Sequence, residues 1–224
     1  MSLNIVKLGL IDYKEALDLQ EKLHTLIMEK ILDDTLLLLE HPPVLTLGVR
    51  GNLSNIYLSQ EQLDQMGISV HEVNRGGDVT YHGPGQIVGY PIFNLTRHGK
   101  DIRDFVFKIQ EVFIHLLGQE YRLDAHRESS KYTGVWVGNE KITAIGIELK
   151  HWTSKHGFAF NVNTDLSHFS WINPCGLSDR GVTSLERLTG KKQDMEHLSK
   201  LVAEYFCSVF GMEGNVCLIE SLIG

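Results

Sequence analysis

The sequence predicts an α+β or mixed α/β protein, a mixed sheet with flanking helices, and three observations predict it. Candidate strands and helices are interleaved, but without the regular alternation that a doubly wound parallel sheet requires. Two β-prone runs, 135–137 and 142–149, flank Gly138-Asn139-Glu140-Lys141 as the arms of a hairpin flank their turn. Two longer stretches repeat apolar residues at helical spacing, so each has one face to bury against a sheet.

Residues 13–31 carry Ala16, Leu19, Leu23, Ile27 and Ile31 on one helical face. Residues 35–39 form a short apolar run, read as a buried strand, and 44–47 a second one after the Pro42-Pro43 break. Ser59 and Gln62 match a capping box and Gly67 stands where a helix stops, so 60–66 is a short helix. Residues 69–74 alternate apolar and polar like a half-buried strand. The next stretch, 75–85 (RGGDVTYHGPG), packs four glycines and a proline into eleven residues and reads as irregular chain. A strand resumes over 86–93. Asp101 then caps the cleanest helix, with Ile102, Phe105, Val106, Ile109, Val112, Phe113, Leu116 and Leu117 along one face. After the hairpin, 158–162 is a strand and 163–182 is irregular. A helix over 194–210 stops at Gly211, and Cys217 falls in a terminal strand.

The 224 residues contain only five prolines and no Ser/Pro/Gln-rich tract, which points to a single domain over 1–224. A net charge of -7 argues against non-specific nucleic-acid binding, which needs a basic surface. The first residues lack a charged-then-apolar signal, and the longest apolar run, 36–39, is too short to span a bilayer. Three cysteines without CxxC spacing speak against a disulfide framework or a zinc knuckle. The eleven histidines are scattered, with no HxxxH or HEXXH pair. The expectation is a cytoplasmic protein with reduced thiols and no metal.

Three stretches carry candidate chemistry. In Arg75-Gly76-Gly77-Asp78-Val79-Thr80-Tyr81-His82, glycine lets the backbone come close to a ligand, and a connection this long reads as a site wall rather than a bare turn. It matches neither GxGxxG nor the P-loop, so no nucleotide is implied. In Asn173-Pro174-Cys175-Gly176, Cys175 lies between two residues unsuited to a packed helix or strand. From local sequence, a reactive thiol and a small buried side chain are both open there. Cys207 and Cys217 sit in apolar patterns and read as packing. Lys141 ends the hairpin turn, where an isolated lysine is an ordinary solvated residue. The strands that follow are interrupted by Ala144, Gly146, Gly157 and Ala159, which leaves room beside the sheet for an apolar chain.

RGGDVTYHGPGQIVGYPI, KITAIGI, HGFAFNVNTDL and INPCGL, in this order, resemble the lipoyl(octanoyl) transferase family of lipoate biosynthesis. The likeness runs from about residue 36 to 188 and includes HPPVLTLG and GVTSLE. It implies the fold of the biotin and lipoate protein ligase catalytic domain. It also implies transfer of an octanoyl group from octanoyl-acyl carrier protein to a lysine of lipoyl domains, those of 2-oxoacid dehydrogenases or of glycine cleavage H protein. Cys175 would carry the acyl group as a thioester and Lys141 would tune it. Residues 75–82, then Ala144, Ile145 and Gly146, then Gly157, Phe158 and Ala159 would line the substrate pocket. Thioester exchange is near neutral and amide formation runs downhill, so no ATP and no cofactor is expected. The alternative within the same fold is an ATP-dependent lipoate or octanoate ligase, which leaves Cys175 without a role. The segment 127–133 departs from the family pattern and receives no role. His82 is open to a substrate contact, a proton relay or a structural hydrogen bond. Because the carrier and this chain are both acidic, docking needs a local basic patch; Arg50, Arg97, Lys100, Lys150 and Lys155 are candidates.

Overall fold

A computed structural model describes residues 1–129, 132–173 and 180–224. In chain order the elements are β1 (Ser2–Leu10), α1 (Tyr13–Met28), β2 (Thr35–Glu40), β3 (Val44–Leu47), α2 (Gln60–Gln65), β4 (Ser69–Glu72), β5 (Val79–His82) and β6 (Gln86–Ile92). There follow α3 (Ile102–Tyr121), β7 (Ala125–Arg127), β8 (Gly134–Val137), β9 (Glu140–Lys150), β10 (Thr153–Asn161), β11 (Gly181–Val182), α4 (Leu185–Thr189), α5 (Met195–Phe210), β12 (Glu213–Val216) and α6 (Glu220–Ile223). The large mixed sheet runs β12-β1-β2-β6-β10-β9-β8-β7, with β11 added beside β9; β4-β3-β5 form a second, smaller sheet.

The amphipathic helices explain the layering. The buried stripe of α3, including Phe105, Ile109, Phe113 and Leu117, joins Leu198, Val202 and Phe206 of α5 on one face of the large sheet. On the other face Ala16, Leu23 and Ile27 of α1 pack on Val6, Leu37, Leu39, Val88 and Tyr90. The central strands β2 and β6 are buried on both faces, which is why 35–39 reads as a continuous apolar run. Among the described residues, no helix is long and apolar enough to cross a membrane.

Several boundaries differ from expectation. The first helix ends at Met28, because Lys30 turns to φ +63°, and Ile31 is 63% exposed rather than on the apolar face. The stretch 75–85 contains a strand after all: Val79–His82 pairs antiparallel with β3, Val44 opposite His82. Its glycines flank a β-prone tetrad without interrupting it, and the composition of the whole stretch hid that. The capping box of Ser59 and Gln62 is present, with α2 ending at Gln65 and Met66 as its cap. The closing helix stops at Gly211 (φ +63°), but the terminal strand ends at Val216, one residue before Cys217. Cys207 and Cys217 are both half-buried against the apolar clusters. β1 carries no sequence signal of its own; with Lys7 and Gly9 breaking any alternation, it becomes a strand by pairing with β2 and β12.

Candidate active site

A cavity of about 530 Å³ lies between the two sheets. The register of β9 and β10 sets Ala144 opposite Ala159 and Gly146 opposite Gly157, and all four line it. Ile145 and Phe158 line it too, while packing into the cluster on the α3 side. The two glycines serve close backbone approach more than open space. A Cβ on Gly146 would lie 2.7 Å from the Gly76 carbonyl oxygen, and one on Gly157 would collide with the Gly89 carbonyl. The glycine loop thus sits directly on β9, and Gly76 N–H donates to Ile147 O at 3.1 Å.

That loop supplies Arg75, Gly76, Gly77, Asp78, Val79, Thr80 and His82 to the cavity wall. Tyr81 does not reach it. Alternation along β5 sends its ring into the small sheet's apolar cluster, where its hydroxyl shares a 2.6 Å hydrogen bond with His168 Nδ1. Buried Arg75 is held by Thr46, whose Oγ1 accepts at 3.2 and 2.8 Å and whose carbonyl accepts at 2.7 Å. Asp78 accepts from its neighbour Val79 N–H at 2.7 Å and from Asn55 Nδ2 at 2.6 Å.

His82 Nδ1 lies 2.7 Å from Gln86 Oε1. Gln86 Nε2 donates to Tyr81 O and to Asn161 Oδ1, so Oε1 is an acceptor and His82 carries its proton on Nδ1. Burial, reinforced by His41 and Arg75, pushes the His82 pKa down to about 3. It is therefore a neutral ring with Nε2 as an acceptor. His41 likewise donates from Nδ1 to Ile11 O at 2.8 Å and accepts from the Tyr90 hydroxyl at 2.7 Å. Tyr13, stacked 6.2 Å from His82, and Tyr90 complete this polar end.

Lys141 stands at the other side of the cavity. Its Nζ donates to Thr133 O at 3.2 Å and lies 4.9 Å from the centre of the Trp136 ring. Gly134 makes room for it: a Cβ there would be 3.2 Å from Lys141 Cε and 2.5 Å from Thr143 O. Cys175 lies outside the described residues. Both flanks of its segment are on the cavity, with Asn173 on one side and Arg180, Gly181 and Val182 on the other. Asn173 N–H donates to Asn55 O at 2.8 Å, while β11 pairs with Glu140 and Lys141.

The catalytic-domain model of lipoyl protein ligase A/B matches residues 12–207. The chain belongs to the lipoyl protein ligase A/B catalytic domain family. It is 61% identical over 222 residues to an octanoyltransferase of Caldicellulosiruptor saccharolyticus, covering 99% of this chain and 94% of that one. Its fold resembles lipoate-protein ligase A bound with ATP, with a TM-score of 0.77 at 15% identity over 100% and 93% of the two chains. It also resembles the Aquifex aeolicus biotin protein ligase in complex with biotin and ATP, with a TM-score of 0.58 at 14% identity over 93% and 70%.

This member of the lipoyl protein ligase A/B family carries further cavity residues that its sequence did not single out. Tyr13, Tyr90, Trp136, His156 and Arg180 all line the cavity. In the unassigned segment 127–133, Glu128, Tyr132 and Thr133 act as scaffolding. Glu128 pairs with Arg180 at 3.0 Å, Tyr132 O accepts from Trp136 Nε1 at 2.9 Å, and Thr133 holds Lys141. Of the basic docking candidates, Lys155 is buried and paired with Glu21 and Glu148, and Arg97 is bound to Asp33 and Asp34. Arg50 alone among the five lines the cavity. Among the described residues no cluster of three His, Cys, Asp or Glu side chains is placed to hold a metal.

The buried histidines make stability depend on pH. Burial is the main cause that lowers His41 to about 4 and both His82 and His156 to about 3. The unfolded chain binds these three protons near pH 6.5 and the folded one does not. Stability is therefore full above about pH 6.5 and falls as pH drops toward 4, by up to ~1.4 kcal/mol per pH unit for each histidine. Urea midpoints measured between pH 7 and 5 should decline steeply. A flat profile would show that these rings take up protons while folded.

Proposed function

We propose that this enzyme moves an octanoyl group from octanoyl-acyl carrier protein to a lysine of a lipoyl domain, with Cys175 as the nucleophile. The observation that carries the reading is a convergence. The glycine loop, the small-residue strip of β9 and β10, Lys141 and both flanks of the Cys175 segment meet at one cavity, in a chain 61% identical to an octanoyltransferase.

In the first step the Cys175 thiolate attacks the thioester carbonyl, and the carrier thiol leaves with a proton from Lys141. In the second the lipoyl-domain amine attacks the acyl-cysteine, Lys141 takes its surplus proton, and the Cys175 thiolate departs. One thioester is consumed and one amide formed, with no net change in the enzyme. The ammonium of Lys141, set between Thr133 O and the Trp136 ring, joins Arg50, Arg75, Asp78 and Arg180 as the charged groups of a cavity whose histidines are neutral.

Full-length likeness to octanoyltransferases favours transfer over ATP-dependent ligation, since the solved ligases share the fold at only 14–15% identity. Octanoyl-carrier protein and a lipoyl domain should therefore give the octanoyl amide without ATP. Activity only with free octanoate and ATP would overturn the reading in favour of a ligase.

A further inference from the structure

Six non-glycine residues adopt a left-handed backbone, and His156, at φ +57°, is the only buried one among the described residues. Alternation along β10 would place its ring with Phe158 and Phe160 against α3. It instead lines the cavity, and its Nε2 lies 3.7 Å from Glu148. Gln20 of α1 holds the turned backbone by accepting the His156 N–H at 2.9 Å. Burial keeps the ring neutral, and its other nitrogen is Nδ1. That atom is buried and has no hydrogen-bond partner among the described residues. Backbone strain and a bare buried polar atom at a cavity wall are together what a functional position shows.

Its place along the sheet says which function. Gly134, beside the Lys141 ammonium, pairs with Ala144, and His156 pairs with Ile147. The path between them is three residues along the sheet and two strands across, about 14 Å at ~3.3 Å per residue and ~4.8 Å per strand. It crosses Ala144, Gly146, Gly157 and Ala159. An extended octanoyl chain spans about 9 Å from carbonyl to methyl, at the ~1.2 Å per bond of an extended backbone. With a few ångströms between ammonium and carbonyl, the methyl arrives at His156.

We propose that His156 sets the upper limit of acyl chain length. The inference rests on the octanoyl-transfer reading with its chemistry at Lys141. Eight carbons end at the ring. Two more methylenes would overpack against the ring, whose turned backbone Gln20 holds, and against the Arg75 side chain, which Thr46 holds.

The test compares octanoyl, decanoyl and dodecanoyl carrier thioesters in the wild type, His156→Gly and His156→Asn. Both substitutions tolerate a positive φ; glycine opens the end of the path, and asparagine keeps it polar. In His156→Gly the decanoyl-to-octanoyl ratio of kcat/KM should rise about ten-fold, the scale set by one or two methylenes in a fitted pocket. In His156→Asn it should stay within about three-fold of wild type on that same scale. An unchanged ratio in His156→Gly overturns the inference, as does a wild type that accepts dodecanoyl as well as octanoyl. Wild-type octanoyl transfer tests the transferase reading by itself. Equilibrium binding of the same thioesters in a Cys175→Ala background, with and without His156→Gly, yields the chain-length ratio without acyl transfer, so the two failures are distinguishable.

Discussion

Mixed with octanoyl-acyl carrier protein and no acceptor, the enzyme should gain one octanoyl group on Cys175. Neutral hydroxylamine should release it, and Cys175→Ala should neither gain it nor transfer, with activity down by roughly 10⁴-fold or more, the scale for removing a covalent nucleophile. The expectation rests on where the flanks of the segment are held. Asn173 is tied to Asn55, and β11 is tied to the strand that begins with Glu140 and Lys141. The competing thiols Cys207 and Cys217 are both half-buried, and burial raises the pKa of Cys207. Intact-mass measurement followed by peptide mapping decides. An adduct on Cys207 or Cys217, or full transfer by Cys175→Ala, would exclude the mechanism.

Substitution of Lys141 should separate its charge from its proton. A free thiol titrates near ~8.5, so about 3% is thiolate at pH 7, and complete ionisation would raise that fraction only about thirty-fold. A loss in Lys141→Ala well beyond thirty-fold therefore requires proton exchange as well as thiolate stabilisation. Arginine keeps the charge but does not readily release a proton. Lys141→Arg should accordingly retain much of the alkylation rate of Cys175 at pH 7 while losing most transfer to the lipoyl domain, and Lys141→Ala should lose both. The site has little room for the longer head, since Gly134 already clears space for the lysine stem. Folded stability of the arginine variant is thus measured alongside. Normal transfer by Lys141→Arg would leave only the charge in play.

How much of this was legible beforehand depended on the range of the interactions involved. Helix α3 was readable because capping by Asp101 and a 3.6-residue apolar period are local properties. The 35–39 strand was readable because burial on both faces demands an unbroken apolar run. β1 and β5 were not, since each is a strand by virtue of partners far away in the chain: β2 and β12 for one, β3 for the other. The glycine loop was recognised as a wall from its composition, yet which of its side chains face the cavity follows from β5 pairing, and that pairing turns Tyr81 away.

The sequence by itself determined the helix and strand inventory in outline and the family, and it supplied the candidates Lys141, Cys175 and the small residues of β9 and β10. These follow from periodicity, local turn chemistry and motifs contiguous in the chain. Only the tertiary structure decided that Thr133, Trp136 and Gly134 hold Lys141, that Lys155 is a buried ion-paired residue, and that His156 turns into the cavity. The physical reason is common to all three. A side chain's charge, exposure and direction are set by what packs against it across the sheet, and residues such as Glu21, Glu148 and Gln20 become its neighbours only when β9, β10 and α1 come together.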